Sequence, residues 1–219
     1  MSPQAPAGPR RPGPARLLRL PRRRWARWAL GVTAVLVVVA VGLWNLPLAG
    51  QWRAERQPRD LLLAEPGGGR EWRVLGDGSP QSPQLRGLDQ RWGRSWQEGA
   101  HSSEGRADQV FERVNRMDSP TWAWLLFRGG ADPAERAGKF YDVARLDAAA
   151  LAPHADERRF SCARSSVAEG ACTRWWVWLR YGQYLVELEA APVGDPHAEP
   201  PAWLADTVAR VDGAMAATA

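Results

Sequence analysis

Hydrophobic and polar positions along the chain fall into three patterns. From Trp28 to Leu46, "WALGVTAVLVVVAVGLWNL", almost every position is apolar and no polar face interrupts the run. Those nineteen residues at helical rise extend about 30 Å, the thickness of a bilayer's hydrocarbon core. The run predicts a transmembrane helix over 28–48, with Trp28 and Trp44 near its two ends where indole favours the headgroup layer. A second pattern is the helical stripe. In "PPAWLADTVARVDGAM", Leu204, Val208, Val211 and Met215 recur on one face. In "DPAERAGKFYDVARLDAAAL", Asp132 caps, Pro133 opens, and Ala137, Phe140, Tyr141, Ala144 and Ala148 form the stripe of a long helix. "DSPTWAWLLFRGG" predicts a shorter helix, with Asp118 or Ser119 as N-cap, Pro120 in the first helical position and Gly129 closing it.

The third pattern is alternation. "ERRFSC" (157–162) reads as a strand, and Val110, Glu112 and Val114 alternate in "DQVFERVNRM". In the latter, Val110, Val114 and Met117 would also share a helix face, and the β-branched residues favour the strand. Residues 76–106 are dense in Gly, Ser and Pro and predict a loop with one strand near Arg91–Gln97. The elements together predict an α+β fold, an antiparallel sheet with amphipathic helices packed on it, preceded by the transmembrane helix. The expected organisation is a tail (1–27), the span (28–48), a linker (49–60) and one domain (61–219).

"CTRWWVWLRYGQYLVELEA" (172–190) carries the most detail. Gly182 in the first central position of "YGQY" is the signature of a type II′ hairpin turn. That turn sets Tyr181 opposite Tyr184, Leu179 opposite Val186, Val177 opposite Leu188 and Trp175 opposite Ala190. This face is wholly apolar and predicts the core. The other face carries Arg174, Trp176, Trp178 and Arg180, with Leu185, Glu187 and Glu189 opposite. Three readings compete for this mixed face: cover by a helix or loop, an open surface binding a ligand or protein partner, or docking at the membrane.

Charge changes the picture through its distribution. The formal net charge is +5, yet residues 1–48 hold eight arginines and no acid, leaving 21 basic against 24 acidic residues beyond them. The basicity belongs to the tail, so nucleic acid is excluded as a partner of the mildly acidic body. The Pro/Gly/Arg-rich stretch 1–24 predicts disorder. Arginines before the span orient it with the N-terminus cytoplasmic and the C-terminal domain extracytoplasmic at the cell membrane. A cleaved signal peptide is the alternative, but the apolar core is long and "NLPLAGQW" makes a poor cleavage site. "LAG" lacks the cysteine that a lipidated lipoprotein needs, since Gln51 follows. "RRRWAR" fits anchor-flanking arginines better than a twin-arginine signal.

Cys162 and Cys172 are the sole cysteines, and outside the membrane they predict a disulfide closing a loop of nine intervening residues. Chain entropy gives such a staple roughly 2.5–3 kcal/mol. No metal or cofactor is expected, because His101, His154 and His197 lack ligand spacing. No nucleophile elbow, phosphate-binding glycine loop or dinucleotide fingerprint occurs, and "GGGR" lacks the Lys-Ser/Thr of a P-loop. Ser161, Ser165 and Ser166, with His154 upstream, read as solvated loop residues.

An arginine-rich composition with Lys139 as its single lysine, the anchor, and "ACTRWWVWLRYGQYLVEL" resemble, in outline, membrane-tethered extracytoplasmic domains of high-GC Gram-positive bacteria. These include lipoprotein-like and kinase-sensor-type modules. The resemblance implies envelope sensing, binding or assembly, and transfers no functional residue. The expectation is a non-enzymatic binding or sensor domain for an envelope component or protein partner. The candidate site is Arg174, Trp176, Trp178, Arg180, Glu187 and Glu189. The alternatives are an accessory subunit of a membrane complex and an envelope hydrolase. Thiol labelling of the unreduced, denatured protein is expected to find no free cysteine; modification of both Cys162 and Cys172 would remove the staple.

Overall fold

The structure, a computed structural model, describes residues 22–45, 51–78, 86–99, 107–130, 133–138, 141–148 and 150–218. The chain divides into two compact units, Met1–Leu43 and Trp44–Ala219. The described residues of the first lie in helix α1 (Arg22–Asn45), which coincides in position with most of the expected span. Trp28, Leu30, Val32 and the run Val35, Leu36, Val37, Val38 and Val39 are all exposed on it. Among the described residues, no helix is long and apolar enough to cross a membrane.

The second unit is built on one antiparallel sheet of seven strands in the order β1-β2-β3-β7-β6-β5-β4. The strands are β1 (Trp72–Gly78), β2 (Leu88–Glu98), β3 (Gln109–Met117), β4 (Val143–Leu146), β5 (Glu157–Arg164), β6 (Cys172–Tyr181) and β7 (Tyr184–Ala191). The α+β class expected from the pattern is the class found. Two runs of sequential neighbours, β1 to β3 and β4 to β7, are joined by β3 pairing with β7. The β6–β7 register matches the one read from the turn, from Trp175↔Ala190 to Tyr181↔Tyr184. Gly182 has φ +56°, a conformation that a Cβ would strain, and an added Cβ would also meet the Gln51 carbonyl at 2.4 Å.

The first face is the main core. Trp175, Val177, Leu179, Val186 and Leu188 pack with Val110, Val114 and Trp96 beneath helix α5 (Ala202–Ala216). All four residues of the predicted α5 stripe, Leu204, Val208, Val211 and Met215, are buried there. The short helix α2 (Pro58–Leu61) and the leucines that follow it close the same core. Residues 51–56, expected to be linker, lie against the hairpin turn. Arg53 and Gln183 exchange two hydrogen bonds, Arg53 N to Oε1 at 2.8 Å and Nε2 to Arg53 O at 2.9 Å. Arg56 N donates to the Tyr184 hydroxyl at 2.8 Å, and Ala54 N to Thr218 O at 2.7 Å.

The second face is crossed by the chain on its way from central β3 to edge strand β4. Helix α3 (Pro120–Gly129) starts as the sequence predicts, the Ser119 hydroxyl accepting from Trp122 N at 3.2 Å. It lays Ala123 and Phe127 on Trp178, Leu185 and Met117. The long helix expected next is corrected. Helix α4 covers only Pro133–Ala137, and Ala144 belongs to β4 rather than to a helical stripe. Pairing with β5 overrides the alanine-rich propensity: β4 completes the sheet edge, from Val143↔Ala163 to Leu146↔Phe160. Asp132 and Phe140 lie outside the described residues. The 76–106 region likewise holds more strand than expected, since β1 runs through Gly78 and β2 spans eleven residues.

Cys162 and Cys172 form the expected disulfide. It ties β5 to β6, and Cys172 also exchanges two backbone hydrogen bonds with His197.

Trp178, 3% exposed, and Trp52, 57% exposed, give opposite expectations. Trp178→Ala should lower stability by about 3–5 kcal/mol, and Trp52→Ala by no more than about 0.5 kcal/mol, in chemical denaturation of the purified protein. Equal losses would contradict the cover that α3 gives.

Candidate functional site

On the second face the parity of each strand decides which side chains meet. From β3 it presents Phe111, Arg113 and Asn115; from β7 Leu185, Glu187 and Glu189; from β6 Arg174, Trp176, Trp178 and Arg180. Register sets Arg113 opposite Glu187 and Phe111 opposite Glu189. α3 covers the β6–β7 turn half of this face. Toward the other end, α4 stands over Trp176 and leaves a cavity of about 180 Å³ beside it. Its lining comprises Phe111, Arg113, Pro133, Arg136, Ala137, Arg174, Trp176, Glu187, Leu188 and Glu189.

The six residues singled out from sequence therefore separate. Arg174, Trp176, Glu187 and Glu189 line the cavity. Trp178 is buried against Phe127, ring centroids 4.8 Å apart. Arg180 is buried in an ion cluster, donating to Glu157 Oε2 at 2.6 Å and lying 3.3 Å from Asp156 Oδ2. Sequence reasoning missed Phe111, Arg113 and Arg136. The signal for the first two was present in the alternation of β3, which puts them on the parity opposite to Val110 and Val114. What was missing was the knowledge that β3 pairs with β7.

The cavity's charges are held in place. Arg113 Nη1 donates to Glu187 Oε2 at 2.6 Å, and Arg136 Nη2 reaches the same oxygen at 3.2 Å. Asn115 Nδ2 donates to Glu187 Oε1 at 3.4 Å while its Oδ1 accepts from Arg91 Nε at 2.6 Å. Arg174 Nη1 pairs with Glu189 Oε1 at 2.6 Å. Aromatic rings fix two of the guanidiniums: Arg113 lies 4.8 Å from the Phe111 centroid and Arg174 5.5 Å from that of Tyr141. Gly93 on β2 leaves room for the Phe111 ring, which an added Cβ would approach to 3.2 Å. Burial, and next the Arg113 charge, pull Arg91 below its ordinary value, with Glu187 opposing. Arg113 Nε is buried with no hydrogen-bond partner among the described residues.

His154, Ser165 and Ser166 lie outside the cavity lining, and Ser161, read as solvated, is instead buried in β5 opposite Trp176. His154 Nδ1 lies 2.6 Å from Asp212 Oδ2, and the other oxygen of Asp212 accepts from the Tyr181 hydroxyl at 2.8 Å. Burial and then that hydrogen bond hold the Tyr181 phenol above its ordinary range. Ser165 Oγ accepts from Val167 N and Ala168 N in its own loop. Among the described residues, no group of three or more His, Cys, Asp or Glu could hold a metal ion.

The geometry defines an antiparallel α+β domain with an arginine-lined cavity on its second face. Its fold is similar to that in the crystal structure of the extracellular domain of PknH from Mycobacterium tuberculosis, at 12% sequence identity over 75% of this chain and 97% of that chain, with a TM-score of 0.43. No protein-family model matches the chain, and neither does any curated protein.

The core face holds a different electrostatic element. Glu112 is fully buried, its Oε2 accepting from Leu63 N at 3.0 Å and its Oε1 unpartnered among the described residues. Burial raises its pKa to about 8, against the opposing pull of the Leu63 N–H and the Arg94 charge. The folded state thus keeps a proton that the unfolded carboxyl releases near 4.5. Stability from this group is full below that value and is lost as pH rises through about 8, with a slope approaching 1.4 kcal/mol per pH unit between the two. Glu112→Gln should flatten that slope and make the protein more stable than wild type above pH 8. An unchanged slope in thermal melts across this range would show that Glu112 is not the group responsible.

Proposed function

We propose that this protein is a membrane-anchored, extracytoplasmic recognition domain that acts by binding rather than catalysis, and that the cavity between α4 and strands β3, β7 and β6 receives its ligand. One observation carries the reading: five cavity residues from three strands and a helix, Arg113, Arg136, Arg174, Glu187 and Glu189, are held by ion pairs and ring contacts around open space. Groups already held in place lose little freedom on binding, which is the condition for useful affinity from a small site.

Anchoring by residues 28–48 is supported by the uncharged, apolar run of the sequence from Trp28 to Leu46. The arginines that precede them support a cytoplasmic tail. The disulfide supports an oxidising compartment for the domain.

A photoreactive phenylalanine analogue at Ala137, which lines the cavity, tests ligand and location together. Irradiated intact cells should yield an adduct to an envelope component, released by protease added from outside. The same analogue at Trp52, 57% exposed and next to Gln51, which abuts the β6–β7 turn at the opposite end of the hairpin, should give none. Adducts of equal yield at both positions, or none at Ala137, would remove the cavity as the recognition site. A protease-resistant adduct would place the domain on the other side of the membrane.

A further inference from the structure

The lining arginines outnumber the lining acids three to two, and a fourth arginine, Arg91, is buried outside the lining. Arg113 and Arg136 both reach a single oxygen of Glu187, and Arg91 reaches the other oxygen through Asn115. Arg174 has its own partner in Glu189. Among the described residues, three guanidiniums therefore share one carboxylate, an excess of two positive charges. Guanidiniums drawn to one carboxylate repel one another, and the repulsion is least screened at the buried Arg91. An anion seated in the adjoining space would relieve it.

We infer that the cavity binds a phosphate monoester, an assignment that rests on the reading of the cavity as the recognition site. The dianion, carried at neutral pH by a monoester, matches the excess of two charges, whereas a lone carboxylate would leave one. Guanidinium forks match the spacing of phosphate oxygens, and Arg113 Nε, buried in the wall, has no partner among the described residues. Size agrees: about 180 Å³ is below the ~300–1,000 Å³ of sites that enclose a drug-sized molecule, and suits a headgroup whose remainder stays outside. Phe111 and Trp176 supply apolar walls for the carbon that carries the ester. Glu187 then acts as an internal competitor, holding Arg113 and Arg136 in position and yielding them to the ligand.

The test is a titration of the full-length protein in neutral detergent with inorganic phosphate and glycerol phosphate at constant ionic strength and neutral pH, followed by thermal midpoint and calorimetry. Wild type should show saturable binding. Arg113→Gln should weaken it roughly ten- to hundredfold, the effect of removing a charge-assisted contact. Glu187→Gln should strengthen it, because the competitor is gone while the side-chain shape remains; this variant keeps the test open where Arg113→Gln fails to fold. Arg210→Gln, on the far side of the sheet, should leave it unchanged. Soluble esters and phosphatidic acid in mixed micelles form separate arms, and binding in the lipid arm alone would identify a headgroup as the source. Saturation by acetate as tight as by phosphate, weaker binding in Glu187→Gln, or silence in both phosphate arms would overturn the assignment. If phosphate is silent while the Ala137 adduct still forms, recognition through the cavity stands and only the ligand class falls.

Discussion

The pairing of β3 with β7 in the middle of the sheet determines most of what else this domain contains. It joins two runs of neighbouring strands at their inner edges, so the chain leaves β3 at the centre and next enters the sheet at the far edge, as β4. The path between those points crosses one whole face. Helices α3 and α4 are the substance of that crossing, and they bury Trp178 and Trp176 respectively. With α5 occupying the opposite face, both sides of the hairpin become interior. The cavity is what remains where the crossing chain does not reach.

Local chemistry made much of this legible. The turn at Gly182 fixed the hairpin register, which in turn separated Trp175 from Trp176 and Trp178. Ser119 and Pro120 marked the start of α3, and the α5 stripe named its buried residues. Strand order was not legible, because nothing in β3 or β7 alone says that Arg113 will face Glu187. The same gap explains the helix expected over 132–151. Alanines there favour helix locally, while the vacant edge of β5 offers Val143–Leu146 a ladder of backbone hydrogen bonds that no local rule can anticipate. Of the candidate site, the residues contributed by the hairpin could be named, and those contributed by its neighbours could not.

The two buried acids of the central strands are stabilised by opposite means. Glu187 is surrounded by guanidinium groups and an amide, so its charge is compensated within the fold. Glu112 lies one position along and on the other face, with one backbone N–H as its hydrogen-bond donor, and burial there favours the neutral form. A single β-strand, β3, thus separates an environment that demands a negative charge from one that rejects it. The alternation of its side chains is enough to create that contrast.

The amide pair between Arg53 and Gln183 has a mechanical meaning. Arg53 is thereby fastened to the tip of the β6–β7 hairpin, with Ala54 and Arg56 adding further points of attachment. A pull applied at Arg53 would reach the turn whose two strands carry Arg174, Trp176, Glu187 and Glu189. The hairpin behaves as a lever arm, with the load applied at its tip and the cavity farther along its length.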